Sequence, residues 1–258
     1  MTELATDDGL RDHDAQPARE IPFAFPGLPG ISCCFSTALT GNISLTTAAT
    51  SEEKKAAAIN RKKLLERNGL CAWVELRQVH KDGLIADPAP TSVENDSELE
   101  ADGSCTRRKG VALAIKTADC QPILLASAKG DAIAALHAGW RGNVMNFPAS
   151  GVRRFCDANG IGPGEVLAVR GPSLGPGAAE FVNFEREWPS VFEPWFDREK
   201  RRMDLWSLTR HQLVEAGLKP GNIFSLDLCS YSLHTLFFSH RRGHSGRQAS
   251  LIWIREHV

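Results

Sequence analysis

Three residues with metal-binding side chains lie at the ends of apolar segments. His80 ends CAWVELRQVH, Cys120 lies between GVALAIKT and QPILLAS, and His137 lies near the end of AIAALHAG. Functional side chains of α/β proteins gather at strand ends, so these three are expected to converge. Imidazole and thiolate bind zinc, and a catalytic zinc ion keeps three protein ligands and one open position. The residue types therefore suit a His-Cys-His metal site, whereas their long-range spacing alone favours a small buried thiol and two unrelated histidines.

Two charged residues near these positions are further candidates. Asp119 precedes Cys120 within apolar sequence, where an unpaired carboxylate is costly. It could orient a histidine ligand, shuttle protons or cap a turn. Arg141 lies between Gly139 and Gly142. Because glycine permits close approach of a ligand and arginine binds phosphate through two nitrogens, Arg141 is either a phosphate-binding residue or part of an ion pair at a helix start.

The elements that position these residues alternate between strands and helices. Apolar runs predict strands at residues 30–39, 71–80, 110–117, 121–127, 132–139, 165–171, 223–229 and 250–254. Helical patterns occur at residues 50–69, 143–160 and 205–217. Thr50 and Glu53 have the spacing of a capping box. The order of elements predicts a single α/β domain over residues 21–258 with a mixed sheet and outer helices, after a disordered polar tail at residues 1–20.

Composition excludes several classes of protein. The 258 residues are 42% hydrophobic, which is enough for a sizeable core. Lys and Arg total 30 against 31 Asp and Glu, so no basic face for general nucleic-acid binding is expected. Neither a membrane-spanning run nor a secretory signal is recognised. The seven cysteines include no C-x-x-C pair, which favours reduced thiols in a cytoplasmic protein.

Seven segments together resemble the YfiH-like family: RQVH, ADGSCT, KTADCQPILLA, ALHAGWRG, RGPSLGPGAAEF, CSYSLHTLFFSHRR and GRQASLIWI. The resemblance extends from about Gly30 to the C-terminus. Members of this family are described as multicopper polyphenol oxidases, or laccases, and as purine nucleoside phosphorylases with adenosine deaminase activity. The resemblance implies a layered α/β/β/α domain with mixed sheets.

The resemblance also implies roles for individual residues. The zinc ligands of the family correspond to His80, Cys120 and His137. Arg61, which interrupts an apolar helix face, matches an arginine that we expect to bind phosphate or ribose. Asn42 and Gln78 match substrate-binding positions, and Arg241 and Arg242 match further family positions.

The function implied by the resemblance is phosphorolysis of purine nucleosides at a zinc site. Expected substrates are phosphate with adenosine, inosine, guanosine or S-methyl-5′-thioadenosine. Adenosine deamination is expected as a second activity, with Asp119 shuttling protons. Trp140 or Phe181 either stacks on the purine or belongs to the core. We expect a monomer or weak homo-oligomer, with no nucleic-acid or membrane partner.

Four alternatives remain open. Copper could occupy the same site and give laccase activity, although eight histidines without an H-x-H pair are too few for four coppers. The fold also resembles a toxin-type glutamine deamidase, in which Cys120 would be the nucleophile and His137 its base, without metal. A zinc-stabilised binding protein would close the site with His240 or His244. A peptidoglycan-editing factor would act on an amino-acid-bearing cell-wall nucleotide.

Overall fold

The computed structural model describes residues 18–256, which contain thirteen strands and five α-helices. The strands are β1 (Glu20–Phe23), β2 (Ile31–Ser36), β3 (Ala72–Glu75), β4 (Leu84–Ala86), β5 (Gly103–Thr106), β6 (Val111–Thr117), β7 (Gln121–Ser127), β8 (Ile133–Ala138), β9 (Val166–Arg170), β10 (Phe196–Asp197), β11 (Arg202–Met203), β12 (Ile223–Ser225) and β13 (Gln248–Ile254). The helices are α1 (Ser51–Arg67), α2 (Trp140–Val144), α3 (Phe147–Asn159), α4 (Phe184–Glu187) and α5 (Leu205–Glu215).

Two mixed sheets form the centre of the molecule. The first has the strand order β1-β2-β13-β6-β3, antiparallel except for the β6–β3 pair. The second has the order β12-β9-β7-β8-β5-β4, with parallel pairs only at its two edges. Strands β10 and β11 form a separate two-stranded ribbon. The mixed character predicted from the sequence is confirmed, but the strands divide between two sheets instead of forming the one central sheet expected from the order of elements.

The two sheets pack face to face, and each carries helices on its outer side. Phe35 and Leu113 of the first sheet meet Leu124 and Val169 of the second in one buried cluster. Because successive side chains of a strand point to opposite faces, the intervening residues form two outer clusters. One outer cluster joins the first sheet to α1, and the other joins the second sheet to α3 and α5. The architecture is therefore α/β/β/α, as the family resemblance implied.

The first helix begins with the capping box that the sequence predicts. The Thr50 hydroxyl accepts a hydrogen bond from the Glu53 amide at 3.1 Å, and the Glu53 carboxylate accepts one from the Thr50 amide. Both bonds satisfy amide groups that have no partner within the helix. The helix then buries Leu64 and Leu65 against the first sheet.

Three predicted elements differ clearly in the structure. The strand expected over residues 223–229 ends at Ser225. The strand expected to end on His80 ends at Glu75, and residues 76–83 form a loop that leaves the first sheet. The helix expected over residues 143–160 is divided into α2 and α3. Asn146 adopts a left-handed conformation with φ of 55°, and Pro148 follows in the first turn of α3. Proline has no amide hydrogen and fixes φ, so it fits a first turn and interrupts a continuing helix.

The predicted tail at residues 1–20 lies largely outside the described residues. Of its last three positions, Arg19 accepts a hydrogen bond from the Thr37 amide and Glu20 begins β1. Among residues 18–256, the helices are all too short or too polar to cross a membrane.

We expect Thr50→Ala to lower the free energy of unfolding by about 1 kcal/mol, because it removes the capping hydroxyl. Chemical denaturation monitored by circular dichroism measures this change. Ser51→Ala, at the exposed next position, is the control. Equal stability of the two variants would contradict a stabilising capping box.

Candidate metal centre

The side chains of His80, Cys120 and His137 meet at one end of the second sheet. One ligand atom from each lies within 4.8 Å of the others, and Cys120 Sγ lies 3.9 Å from His80 Nε2. Ligand atoms around a tetrahedral zinc ion lie roughly 3.5 Å apart, given Zn–N and Zn–S distances of about 2.0–2.3 Å. The three side chains therefore fit zinc after a small closure. Among residues 18–256, this is the single group of three or more His, Cys, Asp or Glu side chains that meets this distance.

Strand register brings Cys120 and His137 together. Cys120 directly precedes β7, and β7 pairs antiparallel with β8 so that Pro122 lies opposite His137. The beginning of β7 therefore lies beside the end of β8. Residues 118–120 carry the chain from β6 of the first sheet to β7 of the second, which places Cys120 where the sheets meet.

A buried carboxylate positions the His80 loop. Asp102, which is 0% exposed, accepts hydrogen bonds from the amides of Val79, His80 and Lys81 at 3.2, 2.9 and 2.7 Å. His80 has a φ of 58°, a left-handed conformation that costs on the order of 1 kcal/mol in a residue other than glycine. The three hydrogen bonds hold the loop in this conformation.

The same carboxylate orients His137. Gly103 of β5 lies opposite Leu136 of β8, which places Asp102 beside His137. The Asp102 carbonyl accepts a hydrogen bond from the His137 amide at 2.7 Å, and Asp102 Oδ1 lies 2.8 Å from His137 Nδ1. With Nδ1 engaged, Nε2 is the ring nitrogen available to a metal. Asp102 is not among the residues predicted from the sequence, although it stands in the ADGSCT segment directly before a strand of small residues.

The cluster favours a thiolate. Burial raises the pKa of Cys120, but the neighbouring imidazoles of His137 and His80 outweigh it and lower that pKa to about 6. Burial lowers the pKa of His137, but the Cys120 sulfur and the Asp102 carboxylate raise it overall. The thiolate is the form of cysteine that binds metal, and it is also the nucleophilic form.

A glycine leaves room for the cluster. A Cβ atom at Gly139 would lie 3.1 Å from Cys120 Sγ and 3.1 Å from His80 Cδ2. Gly139 has φ of −73° and ψ of 173°, a conformation open to any residue. Space, rather than backbone conformation, is therefore what favours glycine here.

Two cavities meet at the cluster. The larger, of about 760 Å³, includes His80 and Cys120 in its lining, together with Trp140, Phe181 and Leu205. The smaller, of about 350 Å³, is lined by all three cluster residues and by basic and hydroxyl side chains. We call these the aromatic cavity and the basic cavity. The cluster is therefore accessible from two sides.

Comparison with known proteins places the chain in a family. The family model described as multi-copper polyphenol oxidoreductase laccase matches residues 35–255. A purine nucleoside phosphorylase of Xylella fastidiosa strain 9a5c is 34% identical, covering 95% of this chain and 96% of that protein. Purine nucleoside phosphorylase YfiH of Escherichia coli K12 is 32% identical, covering 89% and 96%. The chain belongs to the YfiH-like family.

A solved structure agrees with this assignment. The crystal structure of the Bacillus licheniformis hypothetical protein YfiH superposes with a TM-score of 0.76 at 26% identity, covering 87% of this chain and 93% of that one. The fold that this YfiH-like protein shares with the Bacillus licheniformis structure therefore extends over nearly all of the described residues.

Asp119 lies at the aromatic cavity, but its carboxylate is engaged elsewhere. It accepts hydrogen bonds from the hydroxyls of Ser230 and Ser239 at 2.7 and 3.0 Å and from the Arg241 amide at 2.7 Å. Within the described residues, the Asp119 carboxylate forms no hydrogen bond with the ring of His80 or His137. The Asp102 carboxylate bonds to the His137 ring instead. The geometry of Asp119 fits anchoring of the segment 230–241 better than the proton shuttle expected from the sequence.

Arg61 lies in the interior and not in the lining of either cavity of this YfiH-like protein. Its Nε donates to the Ile43 carbonyl at 2.7 Å, and its Nη2 lies 3.6 Å from Asp96 and 4.0 Å from Glu75. The guanidinium also lies over the Trp73 ring. The Arg61 side chain is 0% exposed, so the prediction that it contacts phosphate or ribose directly is wrong.

Asn42 and Gln78 support the basic cavity. Asn42 Oδ1 accepts hydrogen bonds from the Ser44 and Arg247 amides, each at 2.9 Å. Gln78 bonds to both the amide and the carbonyl of Lys116 at 2.8 Å. Their side chains thus connect segments of the cavity lining, and Gln78 itself also lines the cavity.

The remaining candidates divide between the cavities and the protein framework. Arg141 is exposed at the aromatic cavity, with its guanidinium over the Trp140 ring at 4.3 Å. The Trp140 and Phe181 rings, 6.0 Å apart, line the same cavity and also join a buried aromatic cluster. Arg241 lines this cavity, whereas Arg242 donates to the Ser230 and Phe237 carbonyls.

His240 lines both cavities, but it does not join the metal-binding group, and neither does His244. Within the described part of the chain, the cluster therefore has three ligands and no fourth histidine, cysteine or carboxylate at ligand distance. This arrangement matches the open coordination of catalytic zinc sites.

We expect Asp102→Asn to lower zinc affinity by about 10- to 100-fold, because an amide cannot accept from His137 and the loop amides as the carboxylate does. Competition with a chromogenic chelator measures the affinity. Asp157→Asn, on the exposed side of α3, is the control. Unchanged zinc affinity in Asp102→Asn would show that the cluster is positioned without this carboxylate.

We expect Gly139→Ala to lower zinc affinity by about tenfold, since the added methyl group displaces Cys120 and His80 by a few tenths of an ångström. The same competition assay applies. Gly177→Ala is the matched control, because a Cβ atom there meets nothing within 4 Å. Equal affinities in the two variants would exclude crowding at Gly139.

Proposed function

We propose that this protein is a zinc-dependent purine nucleoside phosphorylase acting on adenosine, inosine, guanosine and S-methyl-5′-thioadenosine, with adenosine deaminase as a second activity. The observation that carries the proposal is the position of the His80-Cys120-His137 cluster between an aromatic and a basic cavity. A nucleoside and a phosphate ion require these two environments beside each other. The names of the relatives support the same reaction class.

The aromatic cavity suits a nucleoside. Its volume of about 760 Å³ lies within the range of small-molecule sites, roughly 300–1,000 Å³. Trp140 and Phe181 offer apolar faces for a purine ring. Asn183 and Glu187, in the same lining, offer an amide and a carboxylate for polar atoms of the base or sugar.

The donor set supports zinc. Two imidazoles and one thiolate are common zinc ligands, and three of them leave a position for substrate. Copper can also bind nitrogen and sulfur, and this underlies the alternative of oxidase activity at the same site. When bound, zinc would supply Lewis-acid polarisation of a substrate atom.

The chain's own residues would orient the reactants. Asp102 holds the His80 loop and the His137 ring in place, so the cluster is formed before substrate arrives. Arg141 and Arg241 lie at the aromatic cavity and add positive charge there. Holding a nucleoside and a phosphate ion in adjacent cavities would provide the proximity on which a two-substrate reaction depends.

A metal-free thiol enzyme is the second candidate. The lowered pKa of Cys120 beside His137 favours it, because a thiolate next to an imidazolium is the resting form of many cysteine nucleophiles. The two candidates differ in their response to chelators. A phosphorylase that needs zinc loses activity when zinc is removed and regains it on zinc addition, whereas a thiol enzyme loses activity only on alkylation.

We expect Cys120→Ala to lose bound zinc and to lose phosphorolysis by more than the roughly 100-fold that an outer-shell partner contributes. Zinc content is measured by plasma emission spectrometry. Turnover of each purine nucleoside, with and without phosphate, is measured as free base, ribose 1-phosphate and ammonia. Cys71→Ala, at an exposed cysteine outside both cavities, is the control. Full phosphorolysis by zinc-free Cys120→Ala would refute the proposal.

A further inference from the structure

The basic cavity has the chemistry of an anion site. Its lining includes the cationic side chains of Arg77, Lys116 and Arg247 and contains neither aspartate nor glutamate. Two of these cations already have carboxylate partners behind the lining: Lys116 contacts Glu75, and Arg77 Nη2 lies 3.4 Å from Glu100. The lining thus presents positive charge while the compensating carboxylates lie outside it.

Arg247 is the cation with unused donors. Within the described residues, its guanidinium donates only through Nη1, to the carbonyls of His244, Ser245 and Gly246. It forms no ion pair with a carboxylate there, and Nε and Nη2 remain available. The Asn42 side chain fixes the backbone of Arg247 at 2.9 Å. The guanidinium is thus held at the cavity by its own loop and by Asn42.

Unpartnered hydroxyl groups provide an independent observation. Thr117 ends β6 and is 2% exposed, and its hydroxyl has no hydrogen-bond partner within residues 18–256. The buried Thr47 hydroxyl also has none. Both residues line the basic cavity. Buried hydroxyls in proteins nearly always have partners, so these two groups are donors that a polar ligand in the cavity could satisfy.

We propose that the basic cavity is a phosphate subsite, in which Arg247, Lys116 and the Thr117 hydroxyl bind a phosphate group beside the metal cluster. This inference rests on the proposed phosphorylase function and locates the phosphate in it. The phosphate group has two possible sources, inorganic phosphate or the 5′-phosphate of a nucleotide. His80 and Cys120 line both cavities. A phosphate ion in the basic cavity would therefore lie next to a nucleoside in the aromatic cavity.

The reaction at this junction balances without another reactant. An oxygen of hydrogen phosphate forms a bond to the ribose C1′ with its electron pair. The bond between C1′ and the purine nitrogen breaks, and its electron pair leaves with the purine. The proton of hydrogen phosphate goes to that purine nitrogen. The products are the free base and ribose 1-phosphate, or S-methyl-5-thioribose 1-phosphate when the substrate is S-methyl-5′-thioadenosine.

Thr117→Val tests the subsite with little disturbance, because valine keeps the shape of threonine and removes a hydroxyl that has no protein partner. In the zinc-loaded enzyme, we expect the phosphate KM to rise about tenfold while the nucleoside KM stays within twofold. Arg247→Gln should raise the phosphate KM by more than about tenfold, because it removes a charge-assisted contact. Ser150→Ala removes an unpartnered hydroxyl outside both cavities, and Arg153→Gln removes an exposed arginine on α3; neither should change the phosphate KM.

Calorimetric titration of the zinc-loaded protein with inorganic phosphate measures binding without turnover. A second titration compares inosine 5′-monophosphate with inosine. Phosphate binding that weakens in Thr117→Val and Arg247→Gln supports the subsite for inorganic phosphate. Preferential binding of the nucleotide, lost in the same variants, assigns the subsite to a nucleotide phosphate instead.

Two results separate failure of this inference from failure of the proposed function. The subsite is overturned if both variants keep phosphorolysis, with the phosphate KM, the phosphate affinity and the unfolding temperature all unchanged. That result would not contradict the proposed phosphorylase function. Absence of any sugar 1-phosphate with every purine nucleoside refutes the phosphorylase. Phosphate binding that is lost in Thr117→Val would still support an anion subsite.

Discussion

The geometry of the candidate metal centre depends on one buried carboxylate. Asp102 accepts hydrogen bonds from three consecutive amides of the His80 loop and from the imidazole of His137. Burial alone raises the pKa of this carboxyl, but the hydrogen bonds from His137 and the loop hold it below its usual value. A buried anion satisfied in this way couples the position of one metal ligand to the orientation of another. Few other groups could do this, because a neutral side chain offers fewer acceptor sites.

The two-sheet architecture explains why the centre lies between unlike cavities. The chain passes from β6 to β7 through Ala118, Asp119 and Cys120, and this crossing forms a boundary between the sheets. On one side, the segment that follows β9 contributes Phe181 and Leu205 to an aromatic lining. On the other, the end of β6 contributes Lys116, and Arg247 lies directly before β13. A single cluster thereby faces two cavities of different polarity.

A buried charge network joins the first helix to the basic cavity. Glu75 lies between Arg61 and Lys116, and Lys116 lines the cavity. Burial, together with the positive charges of Arg61 and Arg247, lowers the pKa of Lys116 to about 7. Breaking such a network leaves an uncompensated buried charge, which is strongly destabilising. Arg61 thus connects to the basic cavity through Glu75 and Lys116, without contacting a ligand there.

The sequence by itself determined the main strands, the capped first helix and the three metal-binding side chains, because apolar periodicity, capping chemistry and ligand type are local properties. The α/β/β/α layering of the protein was predicted from the family resemblance and not from periodicity. A strand buried on both faces is a continuous apolar run in the sequence, whichever sheet it joins. Only the tertiary structure decided that Asp102 orients His137, that Asp119 anchors the segment 230–241, and that Arg61 is enclosed. Which partner a buried charge finds depends on strand register and sheet packing, and these bring together residues far apart in the chain.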